Sequence, residues 1–158
     1  MNTTFENCTL LDTKTWFEKA VPVPTLQNFT TQLGVHFEEV AECIDELTGT
    51  DTRTEQLLIL AHEALSALGD HLKANIGCVS VLPDNEVNFL DALCDQIVTS
   101  TGTGHMLGYD MVGAMTEVNI SNFSKFDDKG MPIFNESRKV MKGPAYRKPV
   151  LSPFLGNT

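Results

Sequence analysis

Between Leu26 and Leu47 the apolar residues Leu26, Phe29, Leu33, Phe37, Val40, Ile44 and Leu47 recur at intervals of 3, 4, 4, 3, 4 and 3. This is the α-helical period held over six turns, and a strand, whose side chains alternate every second residue, cannot gather these positions on one face. Gly49 is placed to end the helix. A second helix is expected to start at Thr52, where Thr52 and Glu55 have capping-box spacing, and to run through LLILAHEALSALGDHLKANI to about Ile76. Gly69 is its one weak position. Because this segment is apolar over most of its circumference, it is expected to be largely buried.

Asp84 can cap a third helix through EVNFLDALCDQIVTSTG as far as Leu107, and a Gly-Tyr-Asp turn leads to a fourth from Met111 to Phe123. Ahead of them, residues 1–24 are polar and end in Val21-Pro22-Val23-Pro24, which favours extended backbone and stops a helix before Thr25. The stretch after Phe123 is broken by Gly and Pro, with a hairpin expected around Asp127 to Gly130. The fold expected is all-α, of four-helix-bundle type, over residues 25–125. Residues 1–24 form an N-terminal extension, and residues 126–158 an irregular basic arm lying on the domain or on a neighbouring subunit. Two long apolar helices are hard to cover within 158 residues, so a homodimer or homotetramer is expected.

The net charge of −10 opposes attraction to nucleic acid or anionic lipid, which is driven by basic side chains neutralising phosphate. No apolar run approaches the roughly 20 residues that span a bilayer. The first residues also lack the basic and apolar regions of a secretory signal, so a cytoplasmic protein is expected. Its six Asn-x-Ser/Thr sequons would then be unmodified, and its four cysteines, which include no Cys-x-x-Cys pair, buried reduced thiols. The charge is unevenly spread: residues 1–117 hold 18 acids and 4 bases, residues 118–158 hold 3 acids and 7 bases. An acidic body with a basic tail suits a site that holds cations on one side and phosphate on the other, and equally a plain disordered tail.

Glu38, Glu39, Glu42, Asp45 and Glu46 occupy an arc of about 120° on the first helix, opposite its apolar stripe. No Lys or Arg lies between Lys19 and Arg53, so these carboxylates repel one another with no partner on their own helix. They form either a solvated acidic face or a set of oxygen donors for a hard divalent cation. On the third helix Asp84, Asn88, Asp91 and Asp95 make a narrow polar stripe between apolar flanks, with no base from Lys73 to Lys125 to pair with it. Two such helices facing each other in a bundle would share bound cations. None of His36, His62, His71 and His105 has an acid three residues before it, so an oxygen-only site for Mg²⁺ or Mn²⁺ is favoured over iron, zinc or copper. Asn119, Asn122 and Lys125 at the end of the fourth helix can read a base or sugar and hold a phosphate, or simply cap the helix. Downstream, Arg138, Lys139, Lys142, Arg147 and Lys148 surround Tyr146, an aromatic able to stack on a base.

Together, Glu-Glu-x-x-Glu (Glu38, Glu39, Glu42), the acidic pair Asp91 and Asp95, and Asn-x-x-Asn-x-x-Lys (Asn119, Asn122, Lys125) resemble the MazG-like all-α nucleoside triphosphate pyrophosphohydrolases. The stretches FLDALCDQIVTSTG, EVNISNFSKF and KGPAYRKPVL are similar to the phage branch, and the resemblance covers roughly residues 25–150. It implies Mg²⁺ held by Glu38, Glu39, Glu42, Asp91 and Asp95, with Mn²⁺ as a substitute and Glu38 and Glu39 in catalytic roles. It also implies a nucleotide bound by Asn119, Asn122, Lys125, Lys139, Lys142 and Tyr146, and cleavage of a (d)NTP between the α and β phosphates to (d)NMP and pyrophosphate. The branch points to a purine deoxynucleotide such as dGTP and to a host cytoplasm. The family's second acidic motif is Glu-x-x-Asp, whereas Ala92 stands three before Asp95 here, so Asp95 inherits its role more directly than Asp91. Two rival readings are a phosphoribosyl-ATP pyrophosphohydrolase, which shares fold and metal chemistry, and a non-catalytic helical interaction protein whose acidic faces are merely solvated.

Overall fold

The computed structural model describes residues 9–134 and 140–156. Lys139, Arg138, Cys8 and the sequons at Asn2, Asn7 and Asn135 lie outside them. The described residues are all-helical: α1 (Thr9–Ala20), α2 (Leu26–Asp45), α3 (Thr52–Ala74), α4 (Glu86–Met106) and α5 (Met111–Phe123), with 3₁₀ turns at Pro83–Asn85 and Ser152–Phe154. The only extended pairing among them is an isolated antiparallel bridge, Phe134 to Val140. None of their helices is long and apolar enough to cross a membrane. The chain forms two compact units, Val23–Asp84 and a second made of Met1–Pro22 with Asn85–Thr158.

The first unit is the α2–α3 hairpin. Thr25 caps α2 through a box closed by Asn28: the Asn28 N–H donates to Thr25 Oγ1 at 3.2 Å, and the Thr25 N–H donates to Asn28 Oδ1 at 3.0 Å. At α3 the cap is Asp51, one residue earlier than expected, accepting the Arg53 and Thr54 N–H groups at 2.9 Å each. Glu55 instead accepts the Gly49 N–H at 2.8 Å, so it ties down the loop rather than closing a capping box with Thr52.

The seam of the hairpin differs from the one the apolar stripe suggests. The residues buried on α2 are Thr30, Gly34 and Ala41, a line of small side chains about 80° round the helix from the centre of the stripe. Opposite them on α3 are Gly69 and Leu72. A Cβ on Gly34 would lie 2.7 Å from the Gly69 carbonyl oxygen, and one on Gly69 would lie 2.9 Å from that of Gly34. The helices therefore touch backbone to backbone at two glycines. Leu26 and Leu47 of the stripe stay 57% exposed, and Leu57, Ile59, Leu60 and Leu68 of α3 are exposed where burial was expected, because one neighbouring helix covers one side only. Cys43, Cys78 and Cys94 are likewise exposed rather than buried, standing off the packed seams.

In the second unit α5 is held on two sides. The first is covered by α1, a helix the sequence reading left out; Pro22 and Pro24 end it at Ala20 rather than preventing it. The Trp16 indole N–H donates to the Asn122 carbonyl at 2.9 Å, and its ring stacks on buried Phe126 with centroids 5.9 Å apart. The other side carries the arm, which runs back along α5. The Gly143 N–H donates to the Lys125 carbonyl at 3.0 Å, the Ser121 hydroxyl to the Arg147 carbonyl at 2.8 Å, and the Arg147 N–H to Ser124 Oγ at 3.0 Å. Arg147 Nη1 and Nη2 fork onto the Glu117 carboxylate at 2.7 and 2.9 Å, and the Val150 N–H adds a third bond at 3.0 Å. At the far end Phe154 covers Gly113, and its carbonyl accepts the Asp110 N–H at 2.9 Å. The expected turn is present too, with the Asp127 N–H donating to the Met131 carbonyl at 2.9 Å.

Two predictions follow from these contacts. Gly69→Ala replaces a poor helix former with the best one, a gain of about 1 kcal/mol. It also forces a methyl against the Gly34 carbonyl, so a net loss of about 1–3 kcal/mol in urea unfolding is expected; a variant as stable as the wild type would exclude this close approach. At Glu117, the Arg147 guanidinium and then the Val150 N–H hold the carboxyl below its ordinary value of 4.5. Its contribution is thus present above that value and is lost as pH falls through the lower, folded one. The stability gap between wild type and Glu117→Gln should be wide at neutral pH and shrink below 4.5, as paired urea titrations would show.

Candidate functional site

On α2 the three acids of the Glu-Glu-x-x-Glu stretch stand in different surroundings. Glu38 sits beside the hairpin seam, and Lys73 of α3 reaches it, its Nζ lying 3.0 Å from Glu38 Oε1 and 3.0 Å from Asp70 Oδ1. The hydrogen bond to Glu38, then the one to Asp70, raises the Lys73 pKa above its ordinary value. Glu38 thus gains from the neighbouring helix the cation that its own helix lacks. Glu39 and Glu42 are exposed, and among the described residues no cation lies within ion-pair distance of either. At the end of α2, Asp45 Oδ2 lies 3.2 Å from His62 Nε2, and Ser66 Oγ lies 3.3 Å from the same nitrogen. Both contacts use one ring nitrogen, so they make no Ser-His-Asp relay, which needs both.

Asp91 and Asp95 are one turn apart on one face of α4 and are exposed, together with their apolar neighbours Val87, Leu90, Ile97 and Val98. Within its unit α4 meets α5 around the connecting turn, where Gly104 leaves room for Met111, and most of its other residues are exposed. The carboxylates are therefore not desolvated inside this unit. Among the described residues, neither unit gathers three or more His, Cys, Asp or Glu side chains into a cluster. What each unit offers is open carboxylate oxygen, Glu39 and Glu42 in one and Asp91 and Asp95 in the other. That donor type fits Mg²⁺ or Mn²⁺ better than metals that select nitrogen or sulfur.

The Asn-x-x-Asn-x-x-Lys stretch divides in the same way. Asn119 is 1% exposed, and its amide holds α1: Nδ2 donates to the Thr9 carbonyl at 2.9 Å, while the Thr13 hydroxyl lies 3.0 Å from Oδ1. It faces the inside of the unit. Asn122 and Lys125 are half-buried, with Lys125 Nζ donating to Asn122 Oδ1 at 2.7 Å and standing 5.8 Å from the Trp16 ring centroid. On the arm, Lys142 Nζ lies 4.8 Å from the Tyr146 ring centroid. Asn122, Lys125, Lys142 and Tyr146 are thereby brought to one end of α5, while Lys139 lies outside the described residues. Lys73, Trp16 and Glu117 were not foreseen as neighbours of these groups. The only signal for Lys73 was the antiparallel pairing of α2 with α3, which lays the end of one helix along the start of the other.

No protein-family profile and no curated protein matches the chain. Among solved structures, it is similar to the crystal structure of a "putative NTP pyrophosphohydrolase" from Exiguobacterium sp. 255-15, with 22% identity and a TM-score of 0.61, over 89% of this chain and 88% of that one. The chain has the all-helical fold of that structure.

Proposed function

We propose that the protein is a Mg²⁺-dependent nucleoside triphosphate pyrophosphohydrolase. The observation that supports this best is a coincidence of fold and motif: the fold resembles a structure bearing that activity in its name, and in this chain the acidic motifs stand on α2 and α4 and the Asn/Lys motif on α5 and the residues just after it. The residues assigned to Mg²⁺ are Glu38, Glu39 and Glu42 of α2 in one unit and Asp91 and Asp95 of α4 in the other, Mn²⁺ being able to replace it. When bound, the ion supplies Lewis-acid charge to the phosphates. Glu39, open to solvent, accepts the proton of the water that cleaves between the α and β phosphates, and Glu38 is oriented by Lys73. Asn122, Lys125, Lys142 and Tyr146 bind the nucleotide, with Asn119 steadying them from inside the unit. The resemblance to the phage branch favours a purine deoxynucleotide, dGTP. The exposed apolar residues of α3 and α4 support assembly as a homodimer or homotetramer, measurable by sedimentation.

The deciding experiment is pyrophosphate detection across the common ribo- and deoxyribonucleoside triphosphates and phosphoribosyl-ATP at millimolar Mg²⁺. Release from dGTP above the others is expected, and preference for phosphoribosyl-ATP would transfer the assignment to that activity. Glu42→Gln and Asp95→Asn should each lower turnover by more than about a hundredfold, beyond what losing an outer-shell partner costs, with helicity intact. Mg²⁺ should raise the melting temperature of the wild type. Absence of both turnover and ion-dependent stabilisation would leave a helical interaction protein.

A further inference from the structure

Arg147 belongs to the basic segment that the sequence offers for phosphate binding, yet its guanidinium is engaged elsewhere. The fork onto Glu117 uses both terminal nitrogens at 2.7 and 2.9 Å, and the Glu117 side chain is only 14% exposed. A planar, bidentate pair of this kind fixes direction as well as distance. The main chain around Arg147 is fixed at the same time, through its N–H to Ser124 Oγ, its carbonyl to the Ser121 hydroxyl, and the Val150 N–H to Glu117. Four residues earlier the arm touches the backbone just past α5 with no space between: a Cβ on Gly143 would stand 2.7 Å from the Lys125 carbonyl oxygen and 2.8 Å from that of Phe126. Between these two attachments lies a tight turn, the Tyr146 N–H donating to the Gly143 carbonyl at 3.0 Å. Lys142 leads into that turn and Tyr146 closes it, and the bond from Gly143 to the Lys125 carbonyl sets this segment beside Lys125.

We propose that Glu117 is a positioning residue which, by clamping Arg147, holds the Lys142–Tyr146 turn against Lys125 and so builds a polyphosphate-binding corner at the end of α5. The proposal rests on the nucleotide-hydrolysing reading above and deepens it. Lys125 and Lys142 thus bring two cationic side chains to this corner on hydrogen-bonded backbone, which suits a ligand carrying several negative charges. A triphosphate, with several negative charges in a row, is the chemical class that suits such a pair, and Tyr146 offers a flat face next to it. Arg147 then acts through the placement of its neighbours and never meets the ligand.

The test uses the full chain as wild type, Glu117→Gln and Gly143→Ala, the second variant freeing the arm without altering a charge. Three quantities are measured: hydrogen exchange at the Arg147 and Val150 amides, affinity for inorganic tripolyphosphate by calorimetry, and KM and kcat with the best nucleoside triphosphate. Both variants should exchange faster at these amides, bind tripolyphosphate about tenfold more weakly and raise KM by a similar factor, with kcat within about twofold of wild type. A freed arm with unchanged tripolyphosphate affinity would falsify the proposal, as would undisturbed exchange in both variants or a wild type that does not bind tripolyphosphate. If the wild type binds tripolyphosphate but hydrolyses no nucleoside triphosphate, the activity fails on its own. Weaker binding in the variants then still sustains the corner, and equal binding sinks it. Should Glu117→Gln fail to fold, Gly143→Ala decides alone.

Discussion

The second unit depends on a helix that carries polar groups facing inward on opposite sides. Asn119 and Ser121 of α5 are both buried and, two residues apart, point about 200° away from each other. Buried amides and hydroxyls must be hydrogen-bonded, and here the partners are supplied by chain segments far apart in sequence: Thr9 and Thr13 of α1 for Asn119, and the Arg147 carbonyl of the arm for Ser121. Removing either segment would leave orphaned groups at about 1–3 kcal/mol each. In this structure α1 and the arm are parts of the core rather than additions to it, and α5, enclosed by both, has no clean polar side.

The first unit obeys a different constraint, the closeness of two backbones. Hydrophobic periodicity tells which residues share a face, but not which flank of that face receives the neighbour. On α2 the stripe from Leu26 to Leu47 is real, yet contact is made at its edge through Thr30, Gly34 and Ala41, because small side chains permit a nearer approach than Leu or Phe. Gly69 looked like a flaw in α3 for the same reason that it is useful there.

Elements whose stability is local were the legible ones. The bounds of α5 agree with the sequence reading, and α2 and α3 differ by a few residues at their C-terminal ends. The helix α1 escaped because its Thr, Asp, Lys and Glu residues give little local signal beside two prolines, and its order comes from docking on α5. At the candidate site, spacing correctly put Glu38, Glu39 and Glu42 on one helix and Asp91 and Asp95 on another. It could not give depth, so Asn119 and Asn122, three residues apart, divide into one fully buried and one half-buried. Nor could it give the partners of Glu38 and Arg147, since Lys73 and Glu117 are reached only through tertiary contact.

The sequence distance across these contacts sets how the chain can acquire its shape. The α2–α3 hairpin joins neighbours such as Asp45 and His62, and it can close as soon as both helices exist. The α5 unit joins Trp16 to Phe126 and Glu117 to Arg147, spans that enclose the whole hairpin or wait for the arm. During synthesis, then, α1 stays without its neighbour while more than a hundred further residues emerge, and the arm's contacts with α5, ending with Phe154 at Asp110, come later still.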